Sequence, residues 1–331
     1  MVRNDQPLLD VRGLSVAFRT RGHEQLSAVQ ELSVSIDPGG SLALVGESGS
    51  GKSVSMRALL GLLPANAVVG GSARWSGEGD VPGGTELIGL APRAFRAIRG
   101  RQIGMVFQNA MQALNPTIPL KRQLTEHLRW HGSCTRAEAE VRAVRALGDV
   151  GIPDPERRIR MYPFQLSGGM RQRAMIAMAM VADPRLLIAD EPTTAVDVTV
   201  QKQILDLLID LRDRGTAIIM VTHDLGVARY LCEDVAVLYS GQVMESARLV
   251  DAVEDPRHPY TRGLIGSALE LGDDSPLRPI GGNPPDLADR PAGCAFQPRC
   301  TAADGERCAE VQPLVRLADA REVRCWRSSH E

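Results

Sequence analysis

Apolar residues recur along this chain in two rhythms. From Leu8 to Phe18 they alternate roughly with polar ones, the period of a half-buried strand, and Ser33 to Ile36 and Leu42 to Val45 read as two more strands. The run Leu42-Ala43-Leu44-Val45 is apolar throughout, as parallel strands covered on both faces are. It ends in a glycine-rich turn before a helical stretch closed by Pro64. Between Gly70 and Gly84 the glycines suggest turns and short antiparallel strands, and Glu138 to Leu147 is an alanine- and arginine-rich helix. The region from about Ala110 to Phe164 reads as an inserted helical subdomain. Further on, Val200, Ile204, Leu207, Leu208 and Leu211 fall at helical spacing, Gly215 stands as a stop, and Ala217 to Val221 is an apolar strand. Strands alternating with helices predict an α/β fold around a parallel sheet. From about Ser275 proline, glycine and cysteine take over and neither period persists, so a small irregular C-terminal module is expected there.

A length of 331 residues suits one large domain plus an appendage. With 38 basic and 40 acidic side chains, no surplus of positive charge marks a nucleic-acid or anionic-lipid binder. No apolar run reaches the roughly 18 residues that span a bilayer, and the stretch Ala174 to Ala182 stops at Asp183. The opening Met-Val-Arg-Asn-Asp-Gln-Pro lacks a signal-peptide core, so a cytosolic protein with reduced thiols is expected.

Gly46-Glu47-Ser48-Gly49-Ser50-Gly51-Lys52-Ser53 matches G-x-x-x-x-G-K-[ST] between an apolar strand and a helix, the context a phosphate loop needs. Its backbone N–H groups can close around phosphate oxygens, Lys52 adds a charge for the β- and γ-phosphates, and the Ser53 hydroxyl can ligate Mg²⁺. A second apolar strand, Leu186 to Ala189, ends in Asp190-Glu191. There Asp190 would hold Mg²⁺ and Glu191 would act as general base on the attacking water.

Leu166-Ser167-Gly168-Gly169-Met170, before Asp190, resembles the signature of the ABC (ATP-binding cassette) ATPases. The resemblance implies a P-loop ATPase core with an antiparallel β subdomain and a helical subdomain, working as a dimer. In such a dimer Ser167, Gly168 and Gly169 close on ATP held by the other subunit. It further implies that Gln108, in Met105-Val106-Phe107-Gln108, senses Mg²⁺ and the attacking water. His223, in Val221-Thr222-His223-Asp224, would contact the γ-phosphate and orient Glu191, and Asp197 would lie in the loop that crosses the dimer interface. Phe18 is the candidate to stack on adenine, although a strand phenylalanine also serves as core.

Further stretches narrow the resemblance to ATP-binding subunits of oligopeptide/dipeptide importers: Leu114-Asn115-Pro116, Tyr162-Pro163, Met170-Arg171-Gln172-Arg173, Asp190 to Thr199, His258-Pro259-Tyr260-Thr261, Pro284-Pro285 and Gly293 to Cys300. Ala110 and Phe164 depart from that pattern. The division implied is a nucleotide-binding domain over 1–270, with its helical subdomain at about 110–165, and an accessory module over 271–331. Implied too are permease subunits docking near Gln108 to Pro116, a second ATPase subunit, an extracytoplasmic binding protein, and a peripheral place on the cytoplasmic face of the membrane. Nickel and sugar importers share this architecture. A soluble cassette ATPase of DNA repair or translation is a further alternative, but heptads or a repeated cassette would be expected there and are absent from the sequence.

Four of six cysteines crowd the end with spacing C-x₅-C-x₇-C-x₁₆-C: Cys294, Cys300, Cys308 and Cys325. In a reducing compartment they suit zinc or an iron–sulfur cluster better than disulfides. The importer resemblance favours [4Fe–4S], with Zn²⁺ and unligated thiols as alternatives. Cys134 and Cys232 read as ordinary small residues.

Overall fold

The computed structural model describes residues 6–20, 23–77, 82–108, 113–130, 134–194, 196–267 and 279–328. Its centre is the all-apolar run expected to be buried: β3 (Ser41–Val45) is covered on both faces. It pairs in parallel with β8 (Ala217–Thr222) and β9 (Asp234–Tyr239). Beyond β8 follow β7 (Leu186–Asp190) and β6 (Ile103–Val106), also parallel. Side chains alternate across this sheet. Ala43, Val45, Leu187, Ala189, Ile218 and Met220 pack with the helices, while Leu42, Leu44, Leu186, Ile188, Ile219 and Val221 pack against a second sheet.

That second sheet is antiparallel, in the order β2-β1-β4-β5, built from β1 (Leu9–Thr20), β2 (His23–Ile36), β4 (Ala67–Ser76) and β5 (Gly83–Glu86). The buried positions of β1 are Leu9 and Val11, then Leu14 and Val16, a change of parity that would flip them to opposite faces. A β-bulge absorbs it: the pairing with β2 slips between Val11 and Leu14, and Gly13 takes φ 59°.

Helices cover the other face. They are α2 (Leu120–Trp130), α3 (Arg136–Asp149), the short α4 (Pro155–Arg158), α5 (Gly168–Met180), α6 (Val198–Asp213), α7 (Leu225–Leu231), α8 (Leu249–Glu254) and α9 (Pro259–Ser267), whereas α1 (Lys52–Leu59) packs on the antiparallel-sheet side through Met56, Ala58 and Leu59. Helices α2 to α4 occupy the expected helical region. Thr135 starts α3 with a capping box to Glu138, and Gly215 follows the end of α6 at φ 100°. Ala110 lies outside the described residues, as does the expected 270/271 domain boundary.

The C-terminal stretch departs from the expectation of irregular chain alone. Two-residue strands β11 (Val315–Arg316) and β12 (Glu322–Val323) pair with each other, and β12 adds to the central sheet through β10 (Gln242–Arg248). Arg324 fastens this edge, with Nε donating to Val243 O at 3.0 Å and Nη1 to Gln312 O at 2.7 Å. Strands of two residues are too short to show a period in sequence.

Candidate active site

The loop from Gly46 to Gly51 connects β3 to α1 in a path only glycine can follow. A Cβ on Gly46 would run into the Leu238 carbonyl of β9, and one on Gly51, at φ 96°, would sit 2.8 Å from Ala28 O. The loop points at its own lysine. Lys52 Nζ donates to Gly46 O at 2.6 Å, Glu47 O at 2.8 Å and Ser50 Oγ at 3.0 Å, and the side chain is buried. Burial pushes the Lys52 pKa down to about 8, against the opposing pull of Glu191, Asp190 and Glu47.

Asp190 is the last residue of β7 and has no solvent exposure. Its Oδ1 accepts from Ser53 Oγ at 2.7 Å, while Oδ2 has no hydrogen bond and stands 3.9 Å from Arg57 Nη2. Burial raises the Asp190 pKa in spite of the Ser53 bond. A buried carboxylate oxygen without a donor, beside a serine hydroxyl, is an oxygen set suited to Mg²⁺.

Glu191 leaves the strand in the left-handed region, at φ 48°. That is uncommon for a residue with a Cβ and costs of order 1 kcal/mol. It allows two consecutive carboxylates to serve one site although strand neighbours point apart. Gln108 Nε2 and Thr194 Oγ1 both donate to Glu191 Oε2 at 2.9 Å, and His223 Nδ1 stands 3.6 Å from Oε1. The three catalytic candidates named from sequence, Glu191, Gln108 and His223, thus meet at one carboxylate. Thr194 was not among them; its place three residues after Glu191, in the turn that follows the strand, is the only sequence cue.

The remaining candidates lie apart from this cluster. Ser167 is exposed and caps α5, its Oγ accepting from Met170 N at 3.3 Å; Gly168 is exposed and Gly169 half-buried. Helix α5 reaches the site indirectly, through Gln172 Nε2 on Pro192 O at 2.6 Å. Asp197 caps α6, accepting from Val200 N at 2.9 Å. Phe18 is half-buried in β1 against the core under the antiparallel sheet. Ser48 and Gly49 are exposed at the loop tip, and Ser50 is buried.

Sequence reasoning missed the outer wall of the phosphate loop. Arg299 grips the Glu47 carboxylate with both terminal nitrogens, at 2.6 and 2.9 Å, and Tyr260 Oη accepts from Glu47 N at 2.9 Å. Nearby, Cys294, Cys300, Cys308 and Cys325 line one small cavity with His258, Phe296 and Trp326. Trp326 Nε1 donates to Cys308 Sγ at 3.3 Å, and burial pushes the Cys294 thiol up to about 11. Among the described residues no group of three or more His, Cys, Asp or Glu side chains could hold a metal ion. The expectation of an iron–sulfur or zinc ligand set at these cysteines therefore finds no support in this geometry. Cys232 is buried, its thiol pushed up to about 12, and Cys134 is half-buried against the core, as small core residues would be.

A phosphate cradle on the end of β3, with an Asp-Glu pair on the end of β7, defines a P-loop nucleotide hydrolase. The ABC transporter family model matches residues 29–194, and the model described as oligopeptide/dipeptide transporter, C-terminal region, matches 244–308. The chain belongs to the ABC transporter family, as an ATP-hydrolysing subunit. It is 45% identical to a putative peptide import ATP-binding protein of Brucella melitensis, over 97% of each chain. It is 43% identical to the oligopeptide transport ATP-binding protein OppD of Bacillus subtilis, covering 96% of this chain and 88% of that one. The dimeric ATP-binding cassette MJ0796, in a post-hydrolysis state with ADP and Pi, superposes with a TM-score of 0.62 at 27% identity, covering 73% of this chain and 98% of the other.

Proposed function

We propose that this chain hydrolyses ATP to energise uptake of di- or oligopeptides through a membrane importer. The observation that carries the chemistry is Glu191, held by Gln108 and Thr194 on one oxygen and faced by His223 on the other, beside the Ser53–Asp190 pair. In this reading Lys52 and the loop amides hold the triphosphate, and Phe18 stacks on adenine. Ser53, Asp190 and Gln108 would hold Mg²⁺, which would offset charge on the phosphate oxygens. With Oε2 committed to two donors, Oε1 of Glu191 is the acceptor for a proton of the attacking water. The water oxygen bonds to the γ-phosphorus as the bond to the β–γ bridging oxygen breaks, releasing ADP and phosphate. His223 keeps Glu191 in register with the phosphate.

Ser167, at the start of α5 with Gly168 and Gly169, would act on ATP held by a second subunit, and Asp197 would cross that interface. The second subunit is a related chain or another copy. Permease subunits would dock near Gln108 to Pro116; Phe107, Tyr162 and Phe164 are exposed apolar side chains that could join such a surface. An extracytoplasmic binding protein would act through them. The chain would sit on the cytoplasmic face of the membrane; no helix among the described residues is long and apolar enough to cross one. No role with nucleic acid is proposed. The peptide substrate rests on the names of the relatives, which favour it over nickel or sugars.

The finer reading of Cys294, Cys300, Cys308 and Cys325, which line one small cavity, is a [4Fe–4S] cluster, with Zn²⁺ or unligated thiols as the alternatives. The test of the main reading is ATP hydrolysis by the assembled transporter, reconstituted with its binding protein. Short peptides should raise turnover and nickel or sugars should not. Stimulation by nickel or a sugar instead would retain the ATPase and replace the substrate.

A further inference from the structure

We propose that Arg299 is a positioning residue for ATP: by gripping Glu47 it sets the phosphate loop, which makes the C-terminal segment a working part of the nucleotide site. This rests on the ATP site described above and adds a residue to it. Arg299 lies 252 positions from Glu47, in the turn between Cys294 and Cys300, yet its side chain is only 5% exposed. Both ends of the pair are anchored. Arg299 Nε donates to Gly281 O at 2.8 Å, Nη1 to Tyr239 Oη at 3.2 Å, and the guanidinium lies 5.7 Å from the Tyr239 ring centre. Tyr239, Tyr260 and Phe296 pack on one another with ring centres 4.7 to 5.3 Å apart, and Tyr260 also takes the Glu47 N–H. Glu47 is therefore held by its amide, its carboxylate and its carbonyl, the last by Lys52. Two effects follow. The backbone of the loop keeps its amides in place, and a carboxylate whose field reaches Lys52 is neutralised before a triphosphate arrives.

The second effect gives a signature that simple loss of stability would not. Arg299→Met leaves the Glu47 charge uncompensated beside the phosphates; adding Glu47→Gln removes that charge. Binding of a fluorescent ATP analogue with Mg²⁺ to the full chain should weaken about tenfold in Arg299→Met and return to within about threefold of the parent in the double variant, the size of coupling between residues in contact. Thermal unfolding of the same samples tracks folding. Parent-like affinity in Arg299→Met, or a double variant as weak as the single, would overturn the proposal and leave the ATPase reading intact. A parent chain that does not bind the analogue would overturn both.

Discussion

Lys52 is buried among the carbonyls of its own loop at a cost to its charge. Its pKa falls from 10.5 to about 8 because burial disfavours the ammonium. The unfolded chain keeps that proton up to about 10.5 and the folded loop releases it near 8, so this residue makes stability rise with pH across that window. A bound triphosphate would restore the ammonium. Binding of ATP should then take up close to one proton at pH 9 and about a tenth of one at pH 7. Titration calorimetry in two buffers of unlike ionisation enthalpy measures this; heats independent of buffer at pH 9 would contradict it. Glu191→Gln keeps the size of the side chain and the bonds to Oε2 but removes the base. Turnover should fall at least about 100-fold, the usual worth of a general base, with ATP binding kept. Phosphate release and nucleotide binding on the same preparation decide it. The roles of Lys52 and Glu191 could be read from residue type and spacing. The orientation of Glu191 could not, because it depends on φ 48° and on donors 83 and 3 residues away.

Helix α5 shows how one element can serve two purposes. Ser167 caps it, so Ser167→Ala should cost about 1 kcal/mol in a urea melt. The same serine is proposed to face a second subunit's ATP, which predicts complementation. In an assembly of two copies, Lys52→Met in one and Ser167→Ala in the other would spoil the same composite site and spare the second, leaving about half the turnover if the sites fire independently. Both changes in one copy would spoil both sites. The reverse order, with both changes in one copy the more active arrangement, measured on assemblies purified through two different tags, would place the serine's action within its own chain. At this scale the long elements were readable. β3, β7 and β8 are buried on both faces and showed it as unbroken apolar runs. β1 was readable because its bulge preserves alternation on either side of Gly13. β11 and β12 were not, since two residues carry no period and what makes them strands is the free edge of β10.

Over the whole molecule, the cysteine segment sits against the nucleotide site. Cys294 and Cys300 bracket the turn that carries Arg299, and Arg290 donates to Ser240 O at 2.5 Å in the turn beside the phosphate loop. If the four thiols hold a [4Fe–4S] cluster, chain purified without oxygen should contain about four irons and four sulfides, and Cys308→Ala should lose them. Elemental analysis that finds neither iron nor zinc would leave the thiols unligated. What the sequence determined by itself is local and repetitive: the period of the strands and helices, the glycine loop with Lys52 and Ser53, the acidic pair ending β7, and the signature that resembles the cassette ATPases. Each depends on residues within a few positions of one another, where spacing translates directly into geometry. Only the tertiary structure decided that Gln108, Thr194 and His223 share one carboxylate, that the tail extends the central sheet, and that Arg299 grips Glu47. Those contacts join distant positions, and side-chain type alone does not say which arginine meets which glutamate until the sheet order has brought their strands and loops together.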